Sequence, residues 1–162
     1  MIVLGIDPAL IKTGYGIISM KDNNISYITS GTIVTNTKLP MEERLKNIFV
    51  NINQLIETYK PDYFSIEETF VNNNPTSSLK LGQARGVAIL CAGINDIPVF
   101  EYKPNTIKKS VTGVGKATKD QVGMMVKCLL PQVQLKTEDE ADALAIAICC
   151  ANTVGSGVVC AK

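Results

Sequence analysis

The sequence predicts an α/β fold in which a five-stranded mixed sheet is flanked by helices. Three segments with strand composition come first, and two later ones alternate with segments that have helical spacing. Strands joined by short turns pair antiparallel, whereas strands joined through helices can pair in parallel. A sheet that contains both kinds of pairing therefore follows from the order of the segments.

The first three strands come from the N-terminal part of the chain. The segment "IVLGID" is short and apolar, and "YGIISMK" and "ISYITSGTIVT" are rich in β-branched and aromatic residues. Between the last two, "DNN" is typical of a hairpin turn. We therefore expect these three strands to form an antiparallel meander.

An apolar stripe indicates the first helix. Its members recur at the spacing of one helical face, and they are Leu45, Ile48, Phe49, Ile52, Leu55, Ile56 and Tyr59. Pro40 lies near the start, where its missing N–H costs nothing, and Pro61 ends the helix. The next segment, "DYFSIE", predicts the fourth strand.

The second half of the chain alternates between the two kinds of element. The segments "SLKLGQARGVAILCAG", "IPVFEY" and "KPNTIKKSV" predict a helix, the fifth strand and a short helix. Capping boxes then open two more helices, with Thr118 and Gln121 in the first and Thr137 and Glu140 in the second. The predicted order is β-β-β-α-β-α-β-α-α-α. We expect a single domain over residues 1–162, with a mobile tail from about residue 152.

The composition excludes several classes of site. The chain has no histidine, so it holds no Ser-His-Asp triad, Cys-His pair or histidine-ligated zinc. No apolar run reaches the length of a membrane span, and no basic leader precedes the first apolar stretch. None of the five cysteines forms a C-x-x-C pair. These features predict a reduced, cytoplasmic protein with buried thiols.

The net charge of +1 hides a strong segregation of charge. From Lys103 to Lys127, six lysines stand against one acid, Asp120, and "EDEAD" then supplies four acids at positions 138–142. Blocks of opposite sign this close suit a polyanion held beside a cation site. Two solvated helix faces would give the same pattern, so charge alone leaves both interpretations open.

Candidate carboxylates stand at the ends of predicted elements. Asp7 ends the first strand, either Glu67 or Glu68 ends the fourth, and Asp139 and Asp142 lie in the first turns of the last helix. The last two are three residues apart, so both project from one helical face. Because side chains alternate along a strand, Glu67 shares its face with a small residue, and so does Asp7. That arrangement favours Glu67 over Glu68 because small neighbours leave room beside a site.

The capping box divides the acids of the last helix. Glu140 is explained as the capping partner of Thr137, and the helix dipole alone favours acids in a first turn. Asp142 lies one turn further in, beside an apolar run, where an unpaired carboxylate is costly. A metal ion or a basic partner would offset that cost.

Oxygen-only ligands next to a basic segment suit Mg²⁺ or Mn²⁺. Such sites usually serve phosphoryl transfer, with two ions a few ångströms apart. A structural role for the acids is the main competing interpretation. Phe70, in a polar loop, could stack on a base or belong to the core, and Gly82 and Gly86 could let two helices approach closely or pack internally.

Several stretches together resemble the RuvC family of Holliday junction resolvases. They are "GIDPALIKTGYGII", "PDYFSIEETF", "SLKLGQARGVAIL", "PVFEY" and "DEADALAIAI", and they run in order from Met1 to about Ala151. The resemblance implies a ribonuclease H-like fold and a homodimer that nicks two strands of a four-way DNA junction symmetrically. It also implies 5′-phosphate and 3′-hydroxyl ends, and Mg²⁺ or Mn²⁺ as cofactor with two ions per site when DNA is bound. The RuvA–RuvB branch-migration complex is the implied partner.

The resemblance assigns roles residue by residue. The implied metal-binding and catalytic carboxylates are Asp7, Glu67, Asp139 and Asp142, and Lys108 and Lys119 match catalytic lysines near the scissile phosphate. Phe70 matches a base-unstacking aromatic, and the expected phosphate contacts are Lys80, Arg85, Lys103, Lys109 and Lys116. The expected dimer interface includes Leu79, Gly82, Gly86 and Ile89. Glu68 receives no role.

The sequence departs from the family pattern at two places. Ala9 replaces the usual glycine after Asp-Pro, and the tail carries a single lysine, which puts a basic C-terminal contribution to DNA binding in doubt. Two other functions stay open. One is a junction-binding protein of the same fold without cleavage, and the other is a relative in the wider superfamily that acts on RNA or binds ATP.

Overall fold

The computed structural model describes residues 1–68 and 75–157, and within them it has five strands and five helices. In chain order these are β1 (Ile2–Asp7), β2 (Lys12–Lys21), β3 (Asn24–Val34), α1 (Met41–Tyr59), β4 (Tyr63–Glu67), α2 (Pro75–Ile94), β5 (Val99–Tyr102), α3 (Pro104–Thr112), α4 (Lys119–Leu129) and α5 (Glu138–Gly155). This is the predicted order of elements. The last helix continues to Gly155, past the point where we expected the tail to begin.

The five strands form one mixed sheet in the order β3-β2-β1-β4-β5. The pairs β1–β2 and β2–β3 are antiparallel, whereas β1–β4 and β4–β5 are parallel. The predicted antiparallel meander is therefore confirmed. Because β1 and β4 are parallel neighbours, their carboxyl ends, Asp7 and Glu67, lie at the same edge of the sheet.

Each face of the sheet has its own apolar core. Leu4, Ile6, Phe64 and Ile66 pack under α1 and α2, and the opposite face packs against α3, α4 and α5. The apolar stripe of α1 supplies its buried residues, and Lys60 closes the helix in the left-handed conformation before Pro61. Alternation along each strand therefore decides which helices a side chain meets.

The small residues beside the candidate carboxylates serve helix packing. A Cβ added at Gly5 would overlap the backbone of Ala143 in α5, and one added at Gly14 would overlap that of Asp139. The Ser65 hydroxyl donates to the carbonyls of Leu4 at 3.3 Å and Ile146 at 3.4 Å. The expectation that small residues leave open room beside Asp7 and Glu67 is wrong, because α5 fills that space.

Only the first of the two capping boxes forms completely. The Thr118 hydroxyl accepts from the Gln121 N–H at 3.3 Å, and the Gln121 side chain accepts from the Thr118 N–H at 2.9 Å. At α5, the Thr137 hydroxyl accepts from the Glu140 N–H at 3.2 Å. The reciprocal bond to the Thr137 backbone is replaced, because the Glu140 carboxylate accepts from Ser30 of β3 at 3.1 Å.

The thiols are mostly buried. Cys91, Cys149 and Cys150 lie in the two cores, and burial raises their pKa values to about 11, 11 and 12, so these thiols stay protonated. Cys128 is exposed, which corrects the expectation of buried thiols at that position. Within residues 1–68 and 75–157, no helix has the length and apolar character needed to span a membrane.

Candidate active site

The carboxyl ends of β1 and β4 meet the start of α5 at a small cavity. Asp7 and Glu67 come from the two strand ends, and Asp142 comes from the second turn of α5. The cavity has a volume of about 270 Å³, and its lining includes these three carboxylates together with Lys108 and Lys119. Three distant segments of the chain therefore bring their acids to one place.

The carboxylates of this cavity destabilise one another when ionised. Burial, and after it the negative charges of Asp142, Glu67 and Asp139, together raise the pKa of Asp7 from 3.8 to about 7. Burial also raises the pKa of Glu67, and Asp142 adds to that shift. The cavity therefore disfavours the ionised form of these carboxylates, first by burial and then by their mutual repulsion.

Two lysines oppose that charge. The Lys119 ammonium donates to Asp142 Oδ2 at 3.0 Å and lies 3.9 Å from Glu138 Oε2. The hydrogen bond to Asp142 raises the pKa of Lys119, so the ammonium stays charged at neutral pH. The charge of Lys108, which lies in α3, partly offsets the rise in the pKa of Glu67. Lys119 also contacts the cavity from the first residue of α4, where the complete capping box fixes the helix start.

Asp139 occupies a less central position than the sequence predicts. Its backbone packs against Gly14 of β2, and it is not among the residues that line the cavity. Its charge nevertheless raises the pKa of Asp7, which places its carboxylate at the border of the group.

The chemistry of these donors fits a divalent cation, although they are not drawn together around one. In the described part of the chain, no three acidic, cysteine or histidine side chains are close enough to hold a metal ion. The ligands on offer are carboxylate oxygens, which Mg²⁺ and Mn²⁺ prefer. Burial first, and then repulsion between neighbouring acids, raises the pKa values of Asp7 and Glu67, and a bound cation would relieve that repulsion. A bound ion would have to compete with Lys119 for Asp142.

Glu68 lies outside this arrangement. Its N–H donates to the Tyr102 carbonyl at 2.8 Å, continuing the β4–β5 ladder past Glu67. Its side chain is not among those that line the cavity. The structure thus brings together three of the four carboxylates that the resemblance assigned, Asp7, Glu67 and Asp142, and it is Glu67 rather than Glu68 that lines the cavity from the end of β4.

The sequence matches one protein family over most of its length. The profile of the family described as crossover junction endodeoxyribonuclease RuvC covers residues 3–150. This chain belongs to the RuvC family. Among its relatives, RuvC of Rhizobium johnstonii is 45% identical over 154 residues, covering 95% of this chain and 91% of the relative. RuvC of Paramagnetospirillum magneticum is 47% identical over 156 residues, covering 96% and 94%.

Solved structures of RuvC share the fold. Thermus thermophilus RuvC in complex with a Holliday junction substrate superposes with a TM-score of 0.92 at 28% identity, covering 98% of this chain and 97% of the other. A second T. thermophilus RuvC structure gives 0.88 at 27% identity, covering 98% of both chains. A yeast mitochondrial Holliday junction resolvase, at 15% identity and a TM-score of 0.65 over 91% of this chain and 77% of its own, shares the ribonuclease H-like fold alone.

The basic residues that the family resemblance places on DNA differ in whether their side chains are free to bind a phosphate. Lys80, Lys103, Lys109 and Lys116 are exposed, as a phosphate contact requires. Arg85 is engaged within the protein instead: its guanidinium pairs with Glu101, and its Nε donates to the Glu67 carbonyl at 3.3 Å. Arg85 therefore binds the C-terminal end of β4. Phe70 lies outside the described residues.

One face of α2 of this RuvC chain is apolar and uncovered. Leu79 is 65% exposed, and a Cβ added at Gly82 or Gly86 would meet no atom of the described residues within 4 Å. Ile89 instead packs inward against the core under α1 and α2. Its neighbour Leu90 is 53% exposed and belongs to the open face. The helical spacing from Leu79 could have identified Leu90, which the sequence reasoning missed.

Two buried polar groups also escaped the sequence reasoning. Glu140 is 5% exposed and has no basic partner in the described ranges; it accepts from Ser30, while Thr137 contacts the Thr32 hydroxyl at 3.1 Å. On the other face of the sheet, buried Arg44 donates to Thr35 Oγ1 at 3.2 Å and to the carbonyl of Leu10 at 3.1 Å. The contacts of Glu140 and Thr137 tie α5 to β3.

The hydrogen bonds of Arg44 tie α1 to the turn that follows Asp7. These contacts join residues far apart in the chain, and local spacing gives no signal for either of them.

Proposed function

We propose that this chain is a structure-selective endonuclease that resolves four-way Holliday DNA junctions. In this proposal it makes paired, symmetric nicks and leaves 5′-phosphate and 3′-hydroxyl ends. The observation that carries the proposal is the meeting of Asp7, Glu67 and Asp142 beside Lys108 and Lys119, in a chain of the RuvC family.

The residues that would hold a divalent cation are Asp7, Glu67, Asp139 and Asp142. When bound, Mg²⁺ or Mn²⁺, with two ions per site in the presence of DNA, supplies an acidified water and charge stabilisation for phosphoryl transfer. After burial, the neighbouring acids raise the pKa of Asp7, and this repulsion, which a cation would relieve, supports cation binding at this place.

The lysines provide the positive charge that the chain itself contributes. Lys119 is protonated and held at the cavity by Asp142, so it is positioned to donate a hydrogen bond to a phosphate oxygen there. Lys108 lines the same cavity from α3. Fixed ammonium groups at this position stabilise the charge that develops on the phosphate in the transition state.

The functional unit in this proposal is a homodimer. The uncovered face of α2 supports it, because Leu79, Gly82, Gly86 and Leu90 form an apolar strip that a second copy would bury. A two-fold dimer carries two equivalent sites, which suits two symmetric nicks in a junction. Family membership further supports the RuvA–RuvB branch-migration complex as partner and the cytoplasm as the place of action, with residues 1–162 as a single domain.

A second candidate function is junction binding without cleavage. The observation in its favour is that Lys119 neutralises Asp142, and that the described acids are not drawn together as a ready metal site.

Synthetic DNA separates the two functions. A labelled four-way junction is mixed with the protein in Mg²⁺ and in Mn²⁺, with linear duplex and an RNA–DNA hybrid as competing substrates. The endonuclease proposal expects junction binding and two symmetric nicks whose products ligase can reseal. Tight binding without nicking in either ion would support the second function, and equal cutting of duplex or hybrid would reject junction selectivity.

A further inference from the structure

A second groove begins at the candidate active site and runs between α4 and the start of α5. It has a volume of about 560 Å³ and shares Lys119 and Asp142 with the catalytic cavity. Beyond these two residues its lining includes Gly123 and Lys127 of α4 and Lys136 of the loop before α5. The groove is thus a continuation of the place where a scissile phosphate would lie.

The charges in the groove differ between its two ends. At the catalytic end the lining holds three acids, Asp120, Glu138 and Asp142, and the last two lie within 4.0 Å of the Lys119 ammonium, at 3.9 Å and 3.0 Å. At the far end, Lys127 and Lys136 are exposed and form no ion pair with any acid in the described ranges. These two lysines are therefore available to pair with the charges of a polyanion.

The spacing of the lysines matches an extended ligand. Lys119 and Lys127 are eight residues apart on α4, which is about 12 Å along the helix axis. Gly123 lies between them on the groove wall, and a Cβ there would meet no atom of the described residues within 4 Å.

The openness at Gly123 comes at a cost in helix stability. A glycine inside a helix is less stable than alanine by about 1 kcal/mol, and no close approach within the described chain requires it. Its effect here is to keep the wall between the two lysines open.

The rest of the wall suits the sugar face of a nucleic acid strand. Met124 is 67% exposed and lines the groove together with Leu135. Apolar contacts flanked by lysines hold a strand through its backbone and carry no strong sequence preference.

We propose that this groove holds the DNA strand next to the scissile phosphate, with Lys127 and Lys136 binding successive backbone phosphates. The inference rests on the proposed function, since it names the path of the same substrate away from the same site. It adds two binding residues outside the catalytic cavity, and it predicts that their contribution is electrostatic.

The test measures the salt dependence of junction binding. Junction affinity is measured over a range of salt concentrations, without divalent metal, for wild type, Lys127→Ala, Lys136→Ala and the double variant. Each phosphate contact contributes about 0.9 to the slope of log K against log salt for duplex, and about 0.7 for a single strand. The double variant should therefore lose between about one and two units of slope and at least tenfold in affinity.

Two controls locate the effect in the groove. Lys21→Ala removes an exposed lysine at the opposite end of the sheet from Asp7 and should leave affinity and slope unchanged. Gly123→Leu fills the groove without changing charge and should weaken binding, whereas Gly123→Ala should raise the melting temperature and alter affinity less.

An unchanged slope in the double variant overturns the inference even if wild type cleaves the junction normally. It would be the result expected if the groove received a protein partner instead. An equal loss in Lys21→Ala also overturns it, because attraction would then be spread over the whole surface. If wild type itself neither binds nor nicks the junction, the proposed function fails, and the inference fails with it.

Discussion

Asp7 is the residue whose surroundings differ most from those of an ordinary surface carboxylate. Burial and three neighbouring acids raise its pKa from 3.8 to about 7. Below pH 3.8 the carboxyl is protonated in both the folded and the unfolded states, so it does not affect stability. Between these values the unfolded state ionises first, and the free energy of unfolding falls as pH rises. Above pH 7 the loss is complete.

The first prediction concerns removal of that charge. Since one pKa unit is about 1.4 kcal/mol, Asp7→Asn should stabilise the metal-free protein by a few kcal/mol at pH 8 and by far less at pH 4. Thermal unfolding at both pH values measures this. The same variant should bind a four-way junction and fail to nick it, and retained nicking would contradict the role given to Asp7.

The second prediction separates the two adjacent glutamates. Glu67→Gln should lose cleavage, because Glu67 lines the catalytic cavity, whereas Glu68→Gln should keep it. Single-turnover cleavage of a saturated junction measures both. The reverse outcome would mean that the wrong face of β4 carries the site.

The third prediction concerns Lys119. Its ammonium is held at Asp142, where it would stabilise the reacting phosphate more than the ground state. Lys119→Ala should therefore slow cleavage at saturation more than it weakens junction binding. Comparing the rate constant with the dissociation constant tests this, and equal losses would indicate an ordinary phosphate contact.

At the scale of elements, the close packing of α5 on the sheet positions the site. Gly5, Gly14 and Gly16 lie under α5, and a Cβ at each would overlap its backbone or the Leu144 side chain. The helix can therefore approach β1 and β2 closely enough for Asp142 to reach Asp7. The contacts of Glu140 and Thr137 with β3 fix the same end of α5.

The fourth prediction tests this packing. Gly5→Ala should push α5 away and destabilise the protein by about 1–3 kcal/mol, which lowers the melting temperature by several degrees. Cleavage should fall more than junction binding, because Asp142 moves away from Asp7. Gly93→Ala is the comparison for stability, since a Cβ there meets no atom of the described residues within 4 Å, and it should not lower the melting temperature.

At the scale of the whole molecule, the helices on the two faces of the sheet form different functional surfaces. One face is covered by α3, α4 and α5, whose ends build the site, and the other by α1 and α2. The outer surface of α2 is left apolar, and this surface is where the molecule would meet its second copy. The candidate active site and the proposed dimer face therefore belong to different layers.

The fifth prediction addresses assembly. Leu90→Asp should shift the protein from dimer to monomer in sedimentation analysis, because it puts a charge in the apolar strip of α2. Val50→Asp on α1 is the matched control, since Val50 is 51% exposed and Leu90 is 53% exposed. A dimer that survives Leu90→Asp would place the interface elsewhere.

The sequence by itself determined the order of the elements and the mixed sheet. These depend on local periodicity, caps and strand ends, which a linear pattern records. It also favoured Glu67 through alternation along β4, although the reason given was wrong, because the small neighbours serve the packing of α5 rather than an open site.

Only the tertiary structure decided how these parts are used. It engaged Arg85 with Glu101, turned Ile89 inward and Leu90 outward, and tied Glu140 to β3. It also joined the catalytic cavity to the groove along α4. Each of these features depends on contacts between segments far apart in the chain. Such contacts are fixed by packing across the sheet, and no local spacing in the sequence records them.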